Sequence, residues 1–118
     1  MNTLELRISN TLRDFGVTAD LSGYSYLKYA IELAVPDTEH ATIGIMDLYD
    51  SVAKKYNTTV HRVERACRYA LHEGWPYSVP EIVQSLFGSN PRIPPKGKFI
   101  KVVSDYLRMR TRGSRHGS

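Results

Sequence analysis

The sequence predicts an all-α domain of about six helices without a sheet, and three observations carry that prediction. Apolar residues recur at intervals of three and four over most of the chain. No stretch alternates apolar and polar residues as a half-buried strand does, and each periodic stretch is bounded by residues that start or stop helices. At 118 residues with a hydrophobic share of 42%, the chain is of single-domain size and can bury a core without help from metal or disulfide.

In chain order, the first helix is read over "NTLELRISNTLRDFG", where Leu4, Ile8, Leu12 and Phe15 make one buried stripe. Asn2 and Glu5 suit a capping box at its start, and Gly16 suits a stop at its end. A second helix near residues 22–35 puts Tyr24, Leu27, Ile31 and Ala34 on one face and ends at Pro36, because the residue before a proline is pushed out of helical geometry. A third is read over about 40–47, with Ile43 and Met46 inward, running on or breaking near Leu48. "LYDSVAKKY" and "VHRVERACRYALHEGW" follow as two helices separated by "NTT". After a turn from Gly74 to Tyr77, "SVPEIVQSLFG" reads as a short helix with Ser78 as N-cap, Pro80 and Glu81 in the first turn and Gly88 as stop. Residues 89–98, "SNPRIPPKGK", read as a proline-broken loop. "KFIKVVSDYLRMR" closes the fold with Phe99, Val102, Val103, Tyr106 and Leu107 inward. Residues 1–110 make the helical domain, and the basic tail 111–118 has no apolar face and is expected to be flexible.

The net charge of +4 is divided unevenly. Residues 1–53 carry three basic groups against eight acids, a net of −5, whereas residues 54–118 carry thirteen against four, a net of +9. A positive field on one part of a molecule attracts polyanions and speeds their encounter. The basic groups concentrate around one corner: Lys54 and Lys55 before it, Arg62, Arg65 and Arg68 after it.

That corner has the spacing of a helix-turn-helix. Ala53 is small enough to let a second helix cross closely, and Asn57 tolerates the left-handed backbone a tight turn needs. Thr58 or Thr59 can cap the following helix. Val52, Tyr56, Val63 and Ala66 then fall where the two helices face each other. At ~100° per residue, Val60, Val63, Ala66, Cys67, Ala70 and Leu71 share one arc of the second helix. His61, Arg62, Arg65, Arg68, Tyr69 and His72 share the opposite arc, with Glu64 at the boundary. One helix fits a DNA major groove, where arginine grips guanine with both prongs and a carboxylate accepts from a cytosine amino group. The plainer reading of Glu64 is an i,i+4 pair with Arg68. Lys54, Lys55, Thr58 and Thr59 stand where backbone phosphates would pass.

At these residues the sequence resembles the C-terminal effector domains of the sporulation response regulators of the stage zero sporulation protein A family. The matching pieces are "GYSYLKYAI" (23–31), "LYDSVAKKYNTT" (48–59), "RVERACRYA" (62–70), Trp75, "SLFG" (85–88) and "FIKVVSDYLR" (99–108). The resemblance spans about residues 5–108. It implies a six-helix, homeodomain-like or winged-helix-like bundle without a sheet, whose recognition helix, about residues 60–73 here, reads a short G/C-containing box, often as tandem copies bound head to tail. Carried over by position, Arg62, Glu64 and Arg65 are the base-contacting residues; Lys54, Lys55, Thr58, Thr59, His61 and Arg68 are assigned to phosphate. The family's full-length members carry an N-terminal receiver domain, so these residues correspond to an excised effector domain or to a stand-alone relative regulated in another way. The linker "HEGWPYSVPE" and the loop "SNPRIPPKGK" look particular to this sequence.

The other motifs are weaker. His40, His61, His72 and His116 lack the paired spacing of a zinc site. Cys67 faces inward as a small hydrophobe, and one cysteine without an internal partner suits a reducing cytoplasm. Trp75 and the tyrosines at 24, 26 and 29 read as packing groups rather than base-stacking platforms. Neither an enzyme active site nor a cofactor motif is visible, and no apolar run approaches a membrane span. The rival to double-stranded DNA binding is a helix-turn-helix scaffold used as a protein-interaction module, for example with an RNA polymerase sigma subunit.

Overall fold

The computed structural model describes residues 2–36, 44–89 and 91–116, with Ile45 and residues 110–116 described by backbone alone. Among them there are six α-helices and no strand: α1 (Thr3–Asp14), α2 (Tyr24–Ala34), α3 (Ile45–Lys55), α4 (Val60–Gly74), α5 (Pro80–Phe87) and α6 (Lys96–His116). A single 3-10 turn, Trp75–Tyr77, links α4 to α5.

The N-terminal boundary follows the sequence. The side-chain oxygen of Asn2 accepts the Glu5 N–H at 2.7 Å, which satisfies one of the donors a helix start leaves free. Glu5 does its remaining work on α2, where its carboxylate meets Lys28 at 3.8 Å. α1 ends in a Schellman motif. The Gly16 N–H donates to the Arg13 carbonyl at 2.9 Å, the Val17 N–H to the Leu12 carbonyl at 2.8 Å, and Gly16 sits at φ +79°. Leu12 and Val17, the apolar pair that accompanies this motif, are both fully buried.

α2 is the central strut, packed against α1, α3, α4 and α6. Leu27, Ala30 and Ile31 are its buried face. It stops before Pro36 as expected, but its free carbonyls have a partner that periodicity does not reveal. Arg108 of α6 donates to the carbonyls of Ala34 (2.8 Å) and Val35 (2.9 Å), and Asp105 holds the same guanidinium at 2.7 Å. At the other end of α2, Gly23 is buried against α4, and a Cβ there would run into the Ala66 carbonyl oxygen.

Four readings need correction. α3 runs unbroken from Ile45 to Lys55, so the break near Leu48 does not occur. The buried stripe of α3 is Leu48, Tyr49, Val52 and Ala53; Met46 lies a quarter-turn off it and is 55% exposed rather than inward. Ile43 and the first half of the separate helix read over 40–47 lie outside the described residues. Ser78 does not cap α5. The N-cap is Val79 without a side-chain bond, and the Ser78 hydroxyl instead donates to the Phe15 carbonyl at 3.3 Å while the Val79 N–H donates to the Asp14 carbonyl at 2.7 Å. These bonds fasten the start of α5 to the end of α1. Finally, α6 begins at Lys96, inside the stretch read as loop, because Pro95 supplies the first carbonyl, accepting the Phe99 N–H at 3.0 Å. Its helical backbone continues past residue 110 to His116.

Phe15 is the hub of the far side of the core. Trp75, Phe87 and Phe99 surround it with ring centroids 5.8, 5.7 and 5.1 Å away. Trp75 is thus a packing residue. α6 buries Phe99, Ile100, Val103, Ser104 and Leu107, with Val102 and Tyr106 only half covered. Among the described residues no helix is long and apolar enough to cross a membrane.

Candidate nucleic-acid interface

The corner between α3 and α4 is four residues long, Tyr56 to Thr59, and each has an identifiable task. α3 closes with a second Schellman motif: the Asn57 N–H donates to the Lys54 carbonyl at 3.3 Å and the Thr58 N–H to the Ala53 carbonyl at 2.9 Å. Asn57 occupies the left-handed position at φ +53°, where asparagine substitutes for the usual glycine. Thr59 is extended and caps α4, its hydroxyl oxygen accepting the Arg62 N–H at 3.2 Å. The hydroxyl proton of Thr59 stays free to donate outward. Nothing in this corner is left to slack chain, so the direction of α4 is fixed by that of α3.

α4 divides its faces cleanly. Val63, Cys67, Ala70, Leu71 and Gly74 are buried, and Val52 and Ala53 of α3 are buried with them in the one core. His61, Arg62, Arg65, Arg68, Tyr69 and His72 are exposed. Lys54 and Lys55, at the end of α3, are exposed beside the start of this row, Thr59 is exposed at the corner, and Thr58 is half covered. Eight of the nine residues singled out from the sequence therefore share the corner and the outward side of α4, and the ninth, Glu64, is half covered at its boundary.

Three details differ from the sequence reading. Tyr56 does not face α4; it turns to α2, edge-on to Tyr26 (5.2 Å) and Tyr29 (6.2 Å). Lys55 rides over these rings, its ammonium 5.1 Å from the centre of Tyr29 and 5.8 Å from that of Tyr56, so an aromatic patch fixes a cation at the edge of the basic face. Glu64 pairs with Lys96 of α6 at 4.0 Å, not with Arg68. The tyrosines were legible as packing groups, whereas their grip on Lys55 was not, and Lys96 was hidden in the presumed loop.

Behind the basic face the environment is dry. Burial pushes the Cys67 thiol up to about 12 and raises the Tyr49 phenol above its ordinary value. Cys67 is a neutral packing group under ordinary conditions. Among the described residues no three of His, Cys, Asp or Glu come together as a metal site.

A helical bundle that presents one arginine-lined helix after a tight, capped corner has the architecture of a helix-turn-helix domain. Residues 8–107 match the family model described as sporulation initiation factor Spo0A C terminal, and the chain belongs to that family. It is a DNA-binding domain of the sporulation-regulator kind, and the family is not one of enzymes.

Proposed function

We propose that the chain binds double-stranded DNA sequence-specifically as a transcription regulator, with α4 in the major groove. Arg62, Glu64 and Arg65 read base edges there. Lys54, Lys55, Thr58, Thr59, His61 and Arg68 set the register on the phosphates. Head-to-tail pairs on tandem boxes and a setting in the reducing cytoplasm belong to the same reading. The observation that carries it is the exposure of Arg62 and Arg65 on a helix whose other face buries Val63, Cys67, Ala70 and Leu71: such a helix is anchored to the body and can offer its guanidinium groups without unfolding anything.

The test is to select a preferred duplex from a randomised library and compare its affinity with that of random duplex at two salt concentrations. Specific binding appears as a preference that survives at higher salt, while both affinities fall with the counterions released. Equal affinities for the two duplexes at both salts would sink the proposal. They would favour the protein-interaction reading, with a sigma subunit as its candidate partner, for which the half-exposed ring of Tyr69 on the same face is the supporting feature.

A further inference from the structure

Glu64 stands among Arg62, Arg65 and Arg68 in the chain of α4, and its partner comes from elsewhere in the fold. Lys96 is the first residue of α6, and the next turn of that helix is set in the core through Phe99, Ile100 and Val103. The Lys96 ammonium stands 4.0 Å from the Glu64 carboxylate and 5.8 Å from the centre of the Tyr49 ring, itself 2% exposed. The two paired side chains are largely covered, at 17% for Lys96 and 29% for Glu64. Lys96 is thus held by the backbone of α6 and the ring of α3, and it in turn holds an acid on α4.

Without that hold, helix geometry offers Glu64 a different cation. Residues four apart are neighbours on a helix surface, so the carboxylate would fall on Arg68 and neutralise it. We propose that Lys96 is a specificity-determining positioning residue: it draws the Glu64 carboxylate away from Arg68, which keeps the acid in one orientation for base discrimination and leaves the arginine row unmasked. The proposal rests on the DNA-reading role of α4 given above. A cleft of about 280 Å³, lined by Arg68, His72, Ile93, Pro94 and Lys96 among others, adjoins the pair. A direct phosphate contact by Lys96 through that cleft is the competing role.

The experiment uses the full chain, the library-selected duplex, and the duplex changed at the base pair where Glu64→Gln relaxes discrimination. Lys96→Met, Lys96→Arg, Glu64→Gln and the Lys96→Met/Glu64→Gln double variant are compared, with thermal melts to establish folding and Lys96→Gln in reserve should the methionine variant be unfolded. Expected are a loss of about fivefold or more in discrimination at that base pair for Lys96→Met, recovery in Lys96→Arg, and a double variant no worse than Glu64→Gln alone. Unchanged discrimination in Lys96→Met, or losses that simply add in the double variant, overturns the proposal. A salt slope lowered by about one in Lys96→Met assigns Lys96 to a phosphate and overturns it too. A wild-type chain with no preferred duplex removes the underlying DNA reading and this proposal together, a result distinct from all of these.

Discussion

Arg62 and Arg65 lie three positions apart on α4 with their side chains in solvent, so each is a separate test of base reading. Arg65→Ala is expected to cost ~1–3 kcal/mol on the selected duplex and to relax one base pair, measured by competition titration. Lys54→Ala is expected to weaken selected and random duplex alike and to lower the slope of log affinity against log salt by about one. Both residues were legible in the sequence, because the exposed arc of a helix follows from its apolar arc. Lys96 was not. Its partner Glu64 is 32 positions away, and only the packing of α6 against α3 and α4 brings the two charges together. Arg108 on the carbonyls of Ala34 and Val35 escaped for the same reason.

At the level of the helices, the corner before α4 is the most sharply defined piece. Thr59→Ala removes the bond to the Arg62 N–H and is expected to lower stability by about 1 kcal/mol, read as a lower midpoint in a denaturant titration with unchanged slope. Asn57→Gly should be neutral or stabilising there, and Asn57→Val clearly destabilising, since a β-branched side chain resists a positive φ. This corner could be read from the chain because its signals are local: a small residue, a left-handed turn-former and a hydroxyl cap within seven positions. The start of α5 could not. Ser78 has the composition of a cap, but it lies one residue before the N-cap Val79, and its hydroxyl donates to the Phe15 carbonyl, which is brought near only by the tertiary fold. The start of α6 was misplaced because two prolines look like loop, although Pro95 costs nothing at a position where no N–H is needed.

Over the molecule as a whole, close helix crossing and burial of titratable groups set the stability. Gly23→Ala would drive a methyl group into the Ala66 carbonyl, a backbone atom that cannot swing aside. The expected cost is at least ~1–3 kcal/mol, seen as a lowered Tm. Cys67 and Tyr49 hold their protons more tightly folded than unfolded, because burial disfavours their anions. Stability they contribute is therefore complete below the unfolded values, about 8.5 for a thiol and about 10 for a phenol. It is lost as pH rises through the folded ones, for Cys67 toward about 12. The midpoint of chemical denaturation should fall progressively above about pH 9, and Cys67→Ala should make the first part of that fall shallower. The helical class and the division of charge could be read from composition and periodicity. The glycine-mediated crossings could not, since a glycine in a list of residues does not say which backbone it touches.

Gly74 ends α4 against Gly16, backbone on backbone with no side chain between them, as each position leaves no space for a Cβ. α4 is therefore clamped at both ends, by the capped corner at its start and by this bare seam at its finish. Such a rod meets its target already shaped, so little ordering entropy is surrendered on complex formation. Under the proposed DNA reading, sequence choice would then fall to the side chains it displays, because tilting or unwinding the rod would mean prising the seam open.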